Sequence, residues 1–302
     1  MSKLSTLSRI SRQPSLAYYY AQKALRSPGL RHALGGAVAG LVGQPPVAPG
    51  VEGAADVAQQ LQVDGLCFLP QLELDAVQLQ QVHAQLRDKP VFDLYDGQRF
   101  DIGQDVPADR IKLSYRSGDL LRCPPLLALA NSPLIVDAVT RVLGARPTIG
   151  WFESWWTLGE KNAAGRKLLD DVYHRDVDDL RFVKLFAYLT DTDVANGAHS
   201  FVRGSHRSSL LTRRGPISDE QVRAAFAPQD ILTITGKAGT VFLENTWGIH
   251  RPLLATQGRR LIFSALYGLT PWVPRGPHHT VSDTMPPGID PYVNRALFSA
   301  RP

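Results

Sequence analysis

Hydrophobic positions along this 302-residue chain follow two different periods. Before about residue 145 they recur at helical spacing. Leu74, Val77, Leu79, Val82 and Leu86 mark one apolar stripe, and the pattern predicts helices over Ala54–Val63, Leu72–Arg87 and Pro124–Leu143, the last stopped by Gly144. A short apolar run, Gly65–Leu69, interrupts them. From Pro147 onward the runs become short, aromatic and β-branched, divided by Gly, Asn, Asp or Pro. They predict strands at Thr148–Leu158, Phe182–Leu189, Ser200–Val202, Ile231–Thr235, Thr240–Glu244 and Leu261–Leu269. Helices first and strands after point to a mainly β core with flanking helices, not to an alternating α/β sheet. The Pro- and His-rich last 30 residues read as an ordered tail that wraps the core and ends near Asp290-Pro291-Tyr292.

Charge divides the chain where composition does. A Pro/Gly/Val stretch, Gln44 to Gly53, separates an N-terminal arm, residues 1–50, from a domain over residues 51–302. The arm holds Lys3, Arg9, Arg12, Lys23, Arg26 and Arg31 and no acidic residue, whereas the remainder has 27 basic residues against 28 acidic ones. The high isoelectric point therefore belongs to the arm, and the domain gives no electrostatic case for nucleic-acid binding. The apolar run Ala33 to Gly43 is about half of the ~20 residues that span a bilayer. Two readings of the arm remain. One is a membrane-surface helix around residues 15–43, and the other, which is preferred, is a poorly ordered arm that packs on the domain. Cys67 and Cys123 are the only cysteines and form no CxxC or Cys/His array, so neither a disulfide framework nor a structural zinc site is expected. The default compartment is the reducing cytoplasm, with peripheral membrane association through the arm as the variant.

The candidate chemistry starts at Tyr173-His174-Arg175-Asp176. In an extended segment, side chains at i and i+2 share a face, so His174 and Asp176 can aim at one point while Arg175 points away. His250, after the apolar run Thr240–Glu244 and the turn-like Asn245-Thr246-Trp247-Gly248, supplies a third ligand. Two His and one carboxylate form the facial triad suited to non-haem Fe(II), because three adjacent positions stay open for a 2-oxo acid and O2. The distal carboxylate of 2-oxoglutarate then needs a cationic clamp, and Arg259-Arg260 open the strand that follows His250. Zn or Ni in the same ligand set is not separated from Fe by the ligands alone. His174-Arg175-Asp176 also matches the start of a kinase catalytic loop, but the Asn expected five residues after the Asp is Arg181 and no DFG follows. Gly35-Gly36-Ala37-Val38-Ala39-Gly40 lacks the strand and the Lys-Ser/Thr of a nucleotide loop and reads as flexible backbone. Among the other histidines, His32 and His83 read as helical and solvated and His206 as a turn-fixing residue, while His199 competes with the triad.

These residues resemble the phytanoyl-CoA dioxygenase (PhyH) family of Fe(II)/2-oxoglutarate oxygenases. The resemblance runs through His174-Arg175-Asp176, Val183–Asp191, Asn196-Gly197-Ala198, Arg203-Gly204-Ser205-His206-Arg207 and Gly239-Thr240-Val241-Phe242 leading to His250, and covers roughly residues 55–270. It implies a double-stranded β-helix (jelly roll, cupin-like), iron ligands His174, Asp176 and His250, and hydroxylation of a substrate C–H with 2-oxoglutarate and O2. Asp176 occupies the position that is small in related halogenases, which favours hydroxylation over halogenation. One departure is Pro252, where family members often carry a small hydroxyl residue that helps hold 2-oxoglutarate. Cosubstrate binding then leans on the Arg, with help from Lys184 or Tyr188, which share a strand face with Phe186. The competing reading of Lys184 is a snorkelling surface lysine. Counting back from Tyr267-Gly268 puts Arg260, Ile262, Ser264 and Leu266 on one face, with Ser264 beneath a carboxylate; Arg259 stays open as the clamp. The substrate is expected to be a small molecule or an acyl or carrier-linked group, shaped by the loops Asn162–Leu169 and Leu211–Pro228. The rival function is a non-catalytic cupin-like metal or ligand-binding module, against which the full ligand set and the Arg argue. Neither substrate nor oligomeric state can be read from these residues.

Overall fold

Alternating side chains on the long strands are apolar on both faces, so the sheet they form has to be covered twice. The computed structural model describes residues 15–42, 50–104, 106–107, 109–159, 172–212, 215–271 and 284–298. Two helices of the arm, α1 (Ser15–Ala24) and α2 (Pro28–Val42), precede α3 (Ala54–Asp64), β1 (Leu66–Phe68) and α4 (Ala76–Leu86). Next come β2 (Val91–Asp93), β3 (Arg99–Phe100), β4 (Lys112–Tyr115), α5 (Ser117–Leu121), α6 (Pro124–Ala130) and α7 (Pro133–Leu143). The C-terminal half holds β5 (Thr148–Leu158), β6 (Phe182–Tyr188), β7 (His199–Val202), α8 (Asp219–Ala225), β8 (Ile231–Ile234), β9 (Val241–Glu244), β10 (His250–Pro252) and β11 (Arg259–Gly268). Among the described residues these strands form an eight-stranded sheet, β1-β9-β6-β11-β5-β4-β2-β3, and a three-stranded sheet, β10-β7-β8, with every pairing antiparallel.

The outer face of the large sheet presents Val183, Leu185, Leu243, Phe263 and Ala265 to Leu61, Leu126, Ile135 and Val139 of the helices. Its inner face presents Phe186, Tyr188, Phe242 and Ile262 to Phe201 and Ile234 of the small sheet. Two antiparallel sheets packed in this way, buttressed by helices on one side, make the double-stranded β-helix.

Where element ends differ from expectation, capping chemistry decides. The helix expected from Leu72 begins at Ala76, because Asp75 and Gln78 form a reciprocal capping box. The helix expected over Pro124–Leu143 breaks into α6 and α7 at Asn131-Ser132, ahead of Pro133, which lacks the N–H that a helix interior needs. Gly144 ends α7 as expected, in the left-handed region with φ 82°. Strands β2 to β4 are too short to be predicted from their own apolar residues; β4 pairs with β5, and β2 and β3 add on beyond it at the sheet edge.

The described part of the arm is helical and seated on the domain. Tyr18 donates to Asp179 Oδ1 at 2.7 Å, and Arg31, only 3% exposed, donates to the Asp179 backbone oxygen at 2.5 Å and stacks 4.1 Å from the Trp247 ring. The glycine run read as flexible backbone lies inside α2. It makes room for Arg181, since a Cβ at Gly35 would sit 2.6 Å from Arg181 Cγ. Deleting residues 1–44 removes these contacts and uncovers Asp179, so the truncated protein is expected to lose on the order of 2–4 kcal/mol of stability. A Tm equal to that of the full chain would contradict the docking.

The tail returns to the core through Val293, Leu297 and Phe298, with the Ile149 N–H donating to the Val293 oxygen at 2.8 Å. His278 and His279 lie outside the described residues, as does the loop Asn162–Leu169. His83 is tied to the barrel by a 2.8 Å bond from Nε2 to the Leu189 oxygen, so it is not simply solvated.

His206 sits in a buried turn with Nε2 3.1 Å from the Gln62 oxygen, and burial pushes its pKa down to about 4. The unfolded chain, with a pKa of about 6.5, takes up this proton first as pH falls. His206 therefore costs stability progressively between pH 6.5 and 4, at about 1.4 kcal/mol per pH unit. His206→Gln, which keeps the donor, is expected to flatten that part of a Tm-against-pH curve.

Candidate metal centre and cavity

The segment Tyr173–Asp176 is held by two isolated antiparallel bridges, Tyr173↔Ile217 ahead of α8 and His174↔His250 at the start of β10. His174 N donates to the His250 oxygen at 3.0 Å and His250 N to the His174 oxygen at 3.1 Å, so the two histidines oppose each other directly. Opposed residues of an antiparallel pair share a face, and Asp176 joins that face by the i, i+2 alternation. The imidazole centroids are 4.4 Å apart. Donor atoms of His174, Asp176 and His250 all lie within 4.8 Å of one another, and among the described residues no other such cluster of His, Cys or acidic side chains occurs. Arg175 points the opposite way and donates to the backbone oxygens of Ser205, Leu210 and Trp247 at 2.7–3.0 Å, which pins the segment.

Each histidine is oriented by its own backbone. His174 Nδ1 lies 2.9 Å from the Val172 oxygen and His250 Nδ1 lies 3.0 Å from the Gly248 oxygen. A carbonyl only accepts, so Nδ1 carries the proton and the Nε2 lone pair faces Asp176, at 3.8 Å for His174 and 3.4 Å for His250. Burial alone would raise the Asp176 carboxyl, but the Lys184 ammonium beside it holds it well below the usual carboxylate range. Two imidazole nitrogens, which are lone-pair donors once the histidines are neutral, and one ionised carboxylate converge here, a set that fits a divalent cation.

This cluster opens into a cavity of about 260 Å³ whose wall includes Trp151, Trp155, Phe186, Arg260, Ile262 and Ser264. Arg260 is 1% exposed and donates to the Gly197 oxygen and, at 3.0 Å, to Thr157 Oγ1. Its Nε, like Ser264 Oγ, is buried without a hydrogen-bond partner. Arg259 faces outward, where it bonds the Ile102 oxygen at 3.2 Å and lies 5.3 Å from the Trp156 ring. The strand register thus puts Arg260, Ile262 and Ser264 at the cavity and keeps Arg259 from it.

Two expected cosubstrate contacts are placed differently. Lys184 faces the cavity, but its ammonium lies 2.6 Å from Asp176 and 2.8 Å from Asp178. It pairs in register with Leu266, six residues along β11 from Arg260. It is neither part of the Arg260 end nor a surface lysine. Tyr188 has no exposed surface; its hydroxyl donates to the Ile234 oxygen at 2.7 Å and its ring packs on Phe242. His199 stacks 5.4 Å from His250, yet its Nε2 is committed to fully buried Glu244 at 3.0 Å and it stands outside the triad. Sequence reasoning passed over Asp178, Glu244 and Thr157. For Asp178 the signal was present, since it continues the 174, 176 alternation.

No family model and no curated protein matches this chain. Solved structures do. EctD from S. alaskensis with bound Fe is 19% identical, covering 84% of this chain and 88% of that one with a TM-score of 0.54. EctD from the same source with 2-oxoglutarate and 5-hydroxyectoine is 21% identical over 75% and 79% of the two chains, TM-score 0.52. The non-haem α-ketoglutarate-dependent carbocyclase SnoK of nogalamycin biosynthesis is 17% identical over 74% and 87%, TM-score 0.51. The chain therefore has the fold that these non-haem, 2-oxoglutarate-dependent enzymes share.

Proposed function

We propose that this chain is an Fe(II)/2-oxoglutarate-dependent oxygenase of the PhyH type that hydroxylates a C–H bond of a small or carrier-linked substrate. The observation that carries the reading is one cavity holding both ends of a cosubstrate site. His174, Asp176 and His250 converge at one part of it, and a buried, incompletely satisfied Arg260 stands at another. Fe(II) bound by the triad would supply the redox chemistry by which a substrate C–H, 2-oxoglutarate and O2 give the hydroxylated product, succinate and CO2. Arg260 provides a planar fork for the distal carboxylate, and Ser264 lines the same cavity. Trp155, Phe186 and Ile262 exclude water around them. A volume of about 260 Å³ lies just below the ~300–1,000 Å³ of ordinary ligand pockets. That suits a small molecule or the reacting end of a larger one. Lys112 and Glu153, paired at 3.1 Å on the cavity wall, offer the substrate one charge of each sign.

The test is anaerobic loading with Fe(II) followed by O2. Succinate release from 2-oxoglutarate, accelerated by one member of a panel of small and carrier-bound molecules that gains one oxygen atom, is the expected result. Absence of succinate with the metal demonstrably bound would sink the oxygenase reading.

A further inference from the structure

The alternation that aims His174 and Asp176 at one point also delivers Asp178 to the cavity, where it meets Lys184 of β6. The ammonium lies 2.6 Å from Asp176 Oδ2 and 2.8 Å from Asp178 Oδ2, and 5.3 Å from the centroid of the Trp151 ring. The three side chains are 11–22% exposed, so water does little to screen them. Lysine presents three donors and no acceptor, so one ammonium can bridge both carboxylates. Nothing in the metal-binding chemistry of two histidines and an aspartate requires this pair.

Resting on the oxygenase reading above, we propose that Lys184 and Asp178 act together as a positioning device for the metal-binding carboxylate. Lys184 holds Asp176 Oδ2, which also lies 3.4 Å from His250 Nε2, and leaves Oδ1, 3.8 Å from His174 Nε2, as the oxygen with no ammonium on it. Asp176 is thereby kept from engaging through both oxygens, which preserves the open positions that cosubstrate needs. Asp178 holds the ammonium in place and cancels its charge, so the metal meets the net charge of two imidazoles and one carboxylate.

The two partners carry opposite charge, and their removal has opposite consequences. Asp178→Asn leaves an uncompensated ammonium beside the cation and is expected to weaken Co(II) binding about tenfold or more. Lys184→Met leaves two carboxylates facing the same point. Co(II) binding is then expected to hold or tighten, while 2-oxoglutarate binding to the Co(II) protein falls about tenfold as the freed oxygens take up open positions. The double variant restores the charge balance and is expected to bind Co(II) within a few-fold of the unmodified protein. Lys184→Arg, which keeps the sign, should remain near it as well.

The experiment is a Co(II) titration of the full chain followed by visible absorption, with 2-oxoglutarate then titrated calorimetrically, and Tm recorded for each variant. A pair that only supports the fold would make both single variants bind Co(II) more weakly, and the double variant worst of all; that pattern overturns the proposal. If either single variant does not fold, the double variant alone decides, since near-normal Co(II) affinity supports charge compensation and a loss of tenfold or more refutes it. His250→Ala in the same titration keeps the two questions apart. If it binds Co(II) normally, the metal centre itself is misassigned; if it loses binding while the single variants move in one direction, only the positioning role fails.

Discussion

Alanine at His174, Asp176 or His250 is expected to lower divalent-metal affinity by at least about 100-fold, beyond the ~10–100-fold typical of losing a residue that merely supports a ligand. Oxygenase turnover should vanish in each. The metal-free fold is expected to change little, because none of the three belongs to the apolar clusters that hold the sheets together. A ligand at 100 times its Kd stabilises a protein by about 2.7 kcal/mol, so the Tm rise that Fe(II) or Co(II) gives the unmodified chain should disappear in all three variants. A variant that keeps the full metal-induced rise removes its residue from the centre. Asp176→Ala differs from the other two in one respect. It leaves the Lys184 ammonium, 2.6 Å from the lost Oδ2, facing the vacated position. Chloride or formate is therefore expected to restore part of the metal affinity in Asp176→Ala and to do nothing in the Asp176→Ala/Lys184→Met double variant.

The second large effect belongs to Arg260. A bidentate, charge-assisted pair in a buried site is worth on the order of 2–4 kcal/mol, or roughly 30- to 1,000-fold in affinity. Arg260→Ala should raise the apparent KM for 2-oxoglutarate by that factor, and Arg260→Lys should recover only part of it, because a point charge replaces a planar fork. Arg259→Ala should shift the value little, since that side chain bonds the Ile102 oxygen and lies by Trp156 on the outer face. Arg260 also ties Gly197 to Thr157, so its loss carries a stability cost that a Tm measurement separates from the binding effect. A damaging Arg259→Ala with a harmless Arg260→Ala would contradict the register in which Arg260 opposes Thr157 and Ser264 opposes Phe186.

Several features were legible in the chain because covalent geometry alone dictates them. A strand repeats every two residues, so His174 and Asp176 had to share a face, and Arg259 and Arg260 had to part company. The bounds of β5 emerged as expected from its run of β-branched and aromatic residues, and Gly144 ended α7 because a left-handed residue there costs glycine little. The change from helical to alternating spacing near residue 145 was enough to place β5 to β11 after the helical buttress, but not β1 to β4, which lie among its helices.

What lies across from a residue is a different matter, because pairing partners come from strands distant in sequence. Lys184 reads the same in the chain whether it snorkels, clamps a cosubstrate or bridges two carboxylates. Its position opposite Glu244 and Leu266, beside the segment carrying Asp176 and Asp178, made it the last of these. Tyr188 shares its face but lies two rows further along, where Ile234 of the small sheet takes its hydroxyl. The arm read either as a membrane-surface helix or as a poorly ordered segment packed on the domain, and nothing in the chain showed that Arg31 would be buried where a backbone oxygen and an indole face meet it. Local sequence determined which residues could share a face, and only the tertiary structure decided which charges would meet, since a buried ion is tolerated only where a partner is brought to it.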